Sequence, residues 1–373
     1  MRKERRLLCC ILYSMRCLGM ENVIIGKRII GKTYPSFIIA EMSGNHNGNL
    51  ERALEIVDKA AEIGVDAIKL QTYTADTITL DCDSEYFQTQ KGSLWEGRTL
   101  YDLYSDAYTP WEWHEAIFNR AKERGLICFS TPFDFSAVDF LETLDVPAYK
   151  IASYEINDLP LIEKVAMTQK PVIISTGIAN YDEIVEAVNT CREVGNNNVI
   201  LLKCTSAYPS PYEDMNIRTI NKMEKDMDCI CGLSDHSMGT EVDVAAVALG
   251  ARVIEKHMTL KRSDGGVDAQ FSMEPEEMRL MVEQIRNIEK ALGKETYELT
   301  LKQQEGRRYG RSLFVSKDIR AGDILNADNT KSVRPSAGLS PKYYYEILGK
   351  RVTKDVKKGT PISWNLIDRH DDL

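Results

Sequence analysis

Two lysines lie inside short β-branched runs, Lys69 in Ala67–Thr72 and Lys150 in Ala148–Ala152. A lysine is seldom buried without a partner. On a strand, Lys69 and Gln71 share one face. Several similar runs end in hydroxyls: Ser130-Thr131, Ser175-Thr176 and Ser234, while Ser153 and Glu155 follow Lys150. Lys69 and Lys150 with Thr131, Ser153, Ser175 and Ser234 would form a cradle for a doubly anionic ligand. For either lysine alone, the alternative is an ion pair with Glu41, Glu155 or Glu255.

Two histidines, His236 and His257, end neighbouring runs. Their rings can therefore converge on one divalent metal ion, with Glu41 and Asp268 in reach. A lone histidine at a strand end is an ordinary polar residue, but a pair on adjacent strands points to a ligand set. His46, in an Asn/Gly turn, and His114, on a helix, are weaker candidates.

Such groups need a scaffold that gathers strand ends. Apolar runs read as strands at Phe37–Met42, Ala67–Thr72, Ile127–Thr131, Ala148–Ala152, Val172–Ser175, Val199–Thr205, Ile230–Ser234 and Val253–Met258. Helical patterns lie between them, at Leu50–Gly64, Trp111–Gly125, Phe135–Leu144, Leu159–Thr168, Tyr181–Val194, Thr240–Leu249 and Pro275–Leu292. Gly64, Gly125, Gly195 and Gly250 fall where helices should stop. This alternation predicts an α/β fold, a closed (β/α)8 TIM barrel, with functional groups at the C-terminal strand ends. A doubly wound open sheet is the alternative, but no G-x-G-x-x-G fingerprint occurs. Tyr73 to Thr109 is too long for a plain connection and is rich in aromatics, so it should fold over something. After Gly293 the pattern changes. Ser316–Ile324 and Thr353–Ile362 form a weak repeat of strand, glycine turn and strand. The expected organisation is an N-terminal extension over 1–22, the barrel over 23–293, a linker over 294–311 and a small β-rich domain over 312–373.

The chain has 373 residues, is 43% apolar and 28% charged, and carries a net charge of −9. This is a globular composition, which excludes whole-chain disorder and collagen. The acidic balance argues against nucleic acid as a partner. No stretch approaches the roughly 18–20 apolar residues that span a bilayer, so no membrane is expected. Charge is uneven: residues from Gly310 onward carry 12 basic against 8 acidic side chains, while the body is strongly acidic. The two parts could attract each other, within or between chains. The nine cysteines are odd in number and form no CxxC pair, consistent with reduced thiols and a cytoplasmic location. The first twenty residues are basic and then briefly apolar, without an A-x-A cleavage site. They read as an upstream extension, with Met20 a plausible start, and not as an export signal.

Taken together, Ile39-Ala40-Glu41-Met42-Ser43-Gly44-Asn45-His46-Asn47-Gly48, Lys69-Leu70-Gln71-Thr72, Phe129-Ser130-Thr131-Pro132-Phe133, Tyr149-Lys150-Ile151-Ala152-Ser153, Ser175-Thr176-Gly177, Gly232-Leu233-Ser234-Asp235-His236-Ser237 and Ile254-Glu255-Lys256-His257 resemble the sialic acid synthase family. The resemblance runs from about Val23 to Asp368 and includes a C-terminal domain similar to type III antifreeze protein (the SAF, β-clip fold). Gln71-Thr72-Tyr73-Thr74, Leu94–Tyr104 and Thr109–His114 resemble the branch of that family whose members make pseudaminic acid. The resemblance implies a metal-dependent condensation of phosphoenolpyruvate with an open-chain, N-acetylated amino sugar. Lys69, Thr131, Lys150, Ser153, Ser175 and Ser234 would hold phosphoenolpyruvate, and His236 and His257 would bind Mn2+ or Mg2+. His236, Glu41 and Asp268 would be catalytic. Glu41, Asp268, Gln71, Tyr208 and Arg334 would contact the sugar. Arg334 would do so from the partner chain of a domain-swapped homodimer. Family members often carry Asn where Ser206 stands.

Two other classes compete. A Schiff-base aldolase or lyase could use Lys203 or Lys150. It needs no metal and leaves His236 and His257 without a task. A non-catalytic carbohydrate- or ice-binding protein would rest on the C-terminal domain alone. That domain carries Lys331, Arg334, Lys342, Lys357 and Lys358, which suits a flat ice-binding surface poorly.

Overall fold

The β-branched runs pair side by side and in parallel. The computed structural model describes residues 22–92 and 94–368; the extension expected over the first residues lies outside them up to residue 21. The chain opens with a hairpin, β1 (Val23–Ile25) and β2 (Arg28–Ile30). Eight strands then follow: β3 (Phe37–Glu41), β4 (Ala67–Thr72), β5 (Ile127–Pro132), β6 (Tyr149–Ile151), β7 (Val172–Ser175), β8 (Val199–Cys204), β9 (Ile230–Asp235) and β10 (Val253–His257). They close into one barrel in chain order, with β10 pairing β3.

Between them run α1 (Leu50–Ile63), α2 (Ala75–Ile78), α3 (Leu100–Ala107), α4 (His114–Glu123), α5 (Phe135–Thr143), α6 (Leu159–Met167), α7 (Tyr181–Glu193), α8 (Thr219–Met227) and α9 (Glu241–Ala248). The barrel part ends with α10 (Pro275–Leu292). Local chemistry sets the helix ends. Asn49 accepts a bond from the Arg52 N–H to start α1, and Gly64 ends it at φ 89°, where a side chain would be strained. Asn180 and Glu183 form a capping box on α7.

Strand alternation divides the side chains into two apolar layers. Ile38, Ala40, Ile68 and Leu70 face outward and pack under the helices. Phe37, Ile39, Ala67, Phe129 and Ile173 face inward and pack with Val23, Ile25 and Ile30 of the hairpin. The hairpin turn at Gly26 rests against Ile127, the first residue of β5, so it lies at the N-terminal end of the barrel. Each fully buried Ile or Phe contributes about 1.5–3 kcal/mol of transfer free energy, which pays for the polar layer above.

Three features depart from the sequence-based expectation. The hairpin and α8 were not among the expected elements. The Tyr73–Thr109 segment is not one loop: it carries α2 and α3, joined by turns, and Trp95 Nε1 donates to Val267 O at 2.9 Å. Within it, Tyr86 points to solvent, so not every aromatic there serves as a cover.

The second compact unit begins at Lys294. The stretch expected as a linker forms α11 (Leu301–Gly306), started by a Thr300–Gln303 capping box. Strands β11 (Ser312–Val315) and β12 (Thr330–Val333) pair antiparallel, and α12 (Tyr344–Ile347) follows. The two repeat segments meet directly, with Ile319 and Val356 exchanging both backbone bonds at 2.9 and 2.8 Å. They form isolated bridges instead of long strands. The unit's own core includes Leu313, Val315, Leu325, Ile347 and Ile362.

Candidate active site

The same alternation that buries Phe37 and Ile39 points Glu41 into the C-terminal mouth of the barrel. It does likewise for Lys69 and Gln71, for Lys150, for Ser234, and for Glu255 and His257. These side chains line one cavity of about 440 Å³, together with Ser43, Thr131, Ser153, Ser175, Tyr208, His236 and Asp268. Twelve of the thirteen residues assigned from the sequence thus meet in one place. The thirteenth, Arg334, is exposed in the second unit, next to β12.

The cavity floor is a lattice of opposed charges. Lys69 forms an ion pair with Glu41 and donates to Thr131 Oγ1 at 3.2 Å. Glu255 Oε1 lies 3.9 Å from Lys69 Nζ and 3.6 Å from Lys150 Nζ. Burial works against the Lys69 ammonium, but Glu255 and Glu41 together outweigh it and hold its pKa up. Lys150 has less support: burial, with Lys69 nearby, draws its pKa down despite Glu255. Burial also raises Glu41, with Lys69 opposing. For Glu255 burial is overcome by Lys150, Lys69 and His236, so it stays ionised. One buried hydroxyl, Ser175 Oγ, has no hydrogen-bond partner among the described residues. An unpaired donor beside two buried ammonium groups is suited to an incoming anion.

Above the floor a second chain of contacts leads to Asp268. Gln71 Nε2 donates to Ser43 Oγ at 2.9 Å, and Ser43 Oγ donates to Asp268 Oδ2 at 2.5 Å. The Gly44 N–H donates to the same oxygen at 3.2 Å. Burial raises the Asp268 pKa, with these bonds opposing. Ser43 was not singled out from the sequence; it reaches Asp268 because its backbone takes φ 49° in the turn after β3. Glu155 was read only as an ion-pair partner. It lines the cavity, Oε2 is buried without a hydrogen-bond partner among the described residues, and burial pushes its pKa up to about 7.

The two histidine rings stand with centroids 5.2 Å apart. His236 Nδ1 lies 3.1 Å from Thr205 O, which assigns the proton to Nδ1 and leaves Nε2 free. His257 Nδ1 is buried and has no hydrogen-bond partner among the described residues. Burial, with His236 and three lysines nearby, keeps His257 neutral. No group of three or more His, Cys, Asp or Glu side chains fit to hold a metal occurs among the described residues. Two imidazoles without a third protein donor among the described residues fit an open site that borrows its other ligands from substrate and water. His46 and His114 have other tasks. His46 contacts Thr109 Oγ1 at 3.1 Å and His114 contacts Thr72 Oγ1 at 2.8 Å.

One wall is apolar and comes largely from the 73–109 segment: Ile78, Trp95, Leu100 and Leu103, with Tyr104 beside them. No single strand end announced it. Lys203, by contrast, faces away. Its Nζ donates to Cys204 O at 2.5 Å and to Thr205 Oγ1 at 3.1 Å, and it does not line the cavity. A Cβ on Gly177 would sit 2.1 Å from Ser206 Oγ and 2.7 Å from Ser153 Oγ, so both hydroxyls would have to turn away.

Residues 56–297 match the NeuB family. The chain belongs to the NeuB family. Residues 310–368 of this NeuB-family chain also match the SAF domain. It is 48% identical over 323 residues to a pseudaminic acid synthase of Campylobacter jejuni, covering 87% of this chain and 94% of that one. It is 46% identical over 336 residues to the pseudaminic acid synthase of Helicobacter pylori, covering 90% and 98%. The N,N'-diacetyllegionaminic acid synthase of Legionella pneumophila is more distant, 34% identical over 356 residues, covering 94% and 100%. Among solved structures, the N-acetylneuraminic acid synthetase of Leptospira borgpetersenii superposes with a TM-score of 0.69 at 33% identity, covering 78% of this chain and 96% of that one.

Proposed function

We propose that this chain joins phosphoenolpyruvate to 2,4-diacetamido-2,4,6-trideoxy-L-altrose with water, giving pseudaminate and phosphate. The observation that carries this is the 48% and 46% identity to two pseudaminic acid synthases across nearly the whole of each. The cavity supports it, with a cationic floor for a doubly charged enol phosphate and an apolar wall for a deoxy, N-acetylated sugar.

Lys69 and Lys150 hold the phosphate and carboxylate of phosphoenolpyruvate, with hydroxyls of Thr131, Ser153, Ser175 and Ser234 completing the cradle. Gln71, Tyr208 and Asp268 orient the open-chain sugar so that its aldehyde carbon meets carbon 3 of the enol. A C–C bond forms there as the enol C=C and aldehyde C=O π bonds open, the aldehyde oxygen takes up a proton, and carbon 2 becomes electron-poor. Water adds to carbon 2, a proton is removed, and phosphate leaves. Glu41 and Asp268 are the proton-transfer groups: both carboxyls line the cavity, and burial raises the pKa of each above its ordinary value. His236 and His257 would hold Mn2+ or Mg2+, which when bound polarises the aldehyde oxygen as a Lewis acid.

The proposal extends to a domain-swapped homodimer in which Arg334 of the partner subunit meets the sugar's acyl group. The basic excess from Gly310 onward, against an acidic body, supports such pairing. No helix among the described residues is long and apolar enough to cross a membrane. That absence and the reduced thiols are compatible with a cytoplasmic enzyme.

The test is phosphate release and product mass with purified protein, Mn2+ and phosphoenolpyruvate. The sugars are the L-altrose compound, the matching D-mannose isomer and N-acetylmannosamine. Turnover of the first alone supports the pseudaminate assignment; turnover of another moves the specificity within the family. His257→Ala should fold and lose Mn2+ binding, and a metal-replete, active variant would remove that ligand. Borohydride trapping of a keto acid on Lys150 would favour a Schiff-base lyase instead.

A further inference from the structure

Behind the two histidines, on the outer face of the barrel, lies a buried charge cluster that the chemistry above does not use. Lys256 and Asp235 are register partners on β10 and β9. Alternation turns them outward, between inward Glu255 and His257 on one strand and beside inward Ser234 on the other. Lys256 Nζ contacts the Asp235 carboxylate, and donates to Gly239 O at 3.0 Å and to Asp243 Oδ2 on α9 at 3.2 Å. The side chains of Lys256, Asp235 and Asp243 are 1%, 0% and 0% exposed. Asp235 also accepts from Ser237 N at 2.8 Å and Ser237 Oγ at 2.9 Å, so it grips the loop on the far side of His236.

Much of this outward layer is apolar, as at Ile38, Ala40, Ile68 and Leu70, and another buried polar contact in it, Thr72 with Ser130 and His114, holds no ion pair. Burying the Lys256–Asp235 ion pair, beside an Asp243 carboxyl whose pKa burial and Asp235 push well above the ordinary value, costs several kcal/mol per ion before pairing, and an apolar set of similar volume would close the same face at less cost. Stability is therefore a poor reason for the cluster. Its position is a better one. Asp235 is the residue before His236 and Lys256 the residue before His257. Apolar contacts are non-directional and tolerate small slides between strands. A charge-assisted bond between register partners does not, because its strength depends on distance and angle.

We propose that Asp235, Lys256 and Asp243 are positioning residues that set the spacing of the His236 and His257 imidazoles, and through it the affinity for the divalent ion. This rests on the metal-dependent synthase assignment. The clamp acts on the backs of the two strands and leaves their inner faces free for ligand.

The experiment is calorimetric titration of the full-length protein with Mn2+, alongside thermal unfolding. Lys256→Met removes the central charge. Arg286→Met is the control: it breaks a partly buried pair with Asp66 at the opposite end of the barrel, where Arg286 Nη2 lies 3.0 Å from Asp66 Oδ2. Lys256→Met should weaken Mn2+ binding by about 10-fold or more, while Arg286→Met lowers the melting temperature and leaves Mn2+ affinity unchanged. A folded Lys256→Met protein with wild-type affinity overturns the proposal, as does an equal loss in the control. If Lys256→Met does not fold, Asp243→Asn decides, since it keeps the Asp235–Lys256 pair. A fall of about 3-fold supports the clamp, and none overturns it. Wild-type protein that binds neither Mn2+ nor Mg2+ removes the metal assignment itself, and the clamp with it.

Discussion

Glu255 holds its carboxylate 3.6 Å from the Lys150 ammonium, with both side chains almost completely buried. The pair keeps a cationic pocket foldable before any anion arrives. Replacing the carboxylate by an amide leaves two buried lysines short of a counter-charge. Glu255→Gln should lose about 3–5 kcal/mol of stability, read by denaturant unfolding. Phosphoenolpyruvate should restore part of it, so its stabilising effect on the melting temperature should exceed that in wild type. An equal ligand shift in both proteins would contradict the exchange of one anion for another.

Ser43 ties Gln71 to Asp268 on the side of the cavity proposed to take the sugar. Ser43→Ala removes both bonds without adding bulk. The loss should be about 1–2 kcal/mol, or roughly a 5- to 30-fold fall in kcat/KM for the sugar. The KM for phosphoenolpyruvate should hold, since the floor is untouched. Steady-state kinetics with each substrate varied in turn separates the two.

Glu155 carries the clearest pH dependence. Burial lifts its pKa from the ordinary 4.5 to about 7, so the folded state holds its proton more tightly than the unfolded chain. The resulting stability is complete below pH 4.5 and is lost as pH rises to about 7. The amount is on the order of 2 kcal/mol, discounted because the residue keeps some contact with solvent. Glu155→Gln should remove that slope, seen as the difference between the two unfolding free energies across the interval. Parallel curves would exclude the raised carboxyl.

Leu100 lines the apolar wall contributed by the 73–109 segment. A wall that receives a methyl group should discriminate by about 1–3 kcal/mol. Leu100→Asn should raise the KM of the 6-deoxy sugar by roughly 10-fold or more. It should leave N-acetylmannosamine, with its C6 hydroxyl, no worse a substrate. Equal losses for both sugars would place the deoxy carbon elsewhere.

Much of the site was legible because it breaks local rules. Lys69 and Lys150 stand out as charges inside strands, and His236 and His257 as paired strand ends. The strands Ala67–Thr72 and Val172–Ser175 were read to the residue, since short runs bounded by helical patterns leave little room for error. Ser43 escaped because its role depends on a positive φ in a turn, which no side-chain pattern encodes. The apolar wall escaped because Ile78 and Leu103 meet only once the long segment has folded back. α8 escaped because its stripe of Ile220, Met223 and Met227 sits among charges and follows a proline-rich stretch. The hairpin was too short to carry a period, with three residues in each strand.

That hairpin has a kinetic consequence. Val23, Ile25 and Ile30 stop one end of the barrel with apolar bulk, so traffic runs through the opposite end, beside the 73–109 segment. In a vessel filled from one side, whatever lies deepest enters first and leaves last. On the proposed assignment the lysine floor lies beneath the sugar contacts, so the enol phosphate would board before the aldehyde. Inorganic phosphate would then depart only after the nine-carbon product had cleared the doorway. Turnover on such a scaffold would be a queue, and a bulky sugar that lingered at the entrance would stall everything behind it.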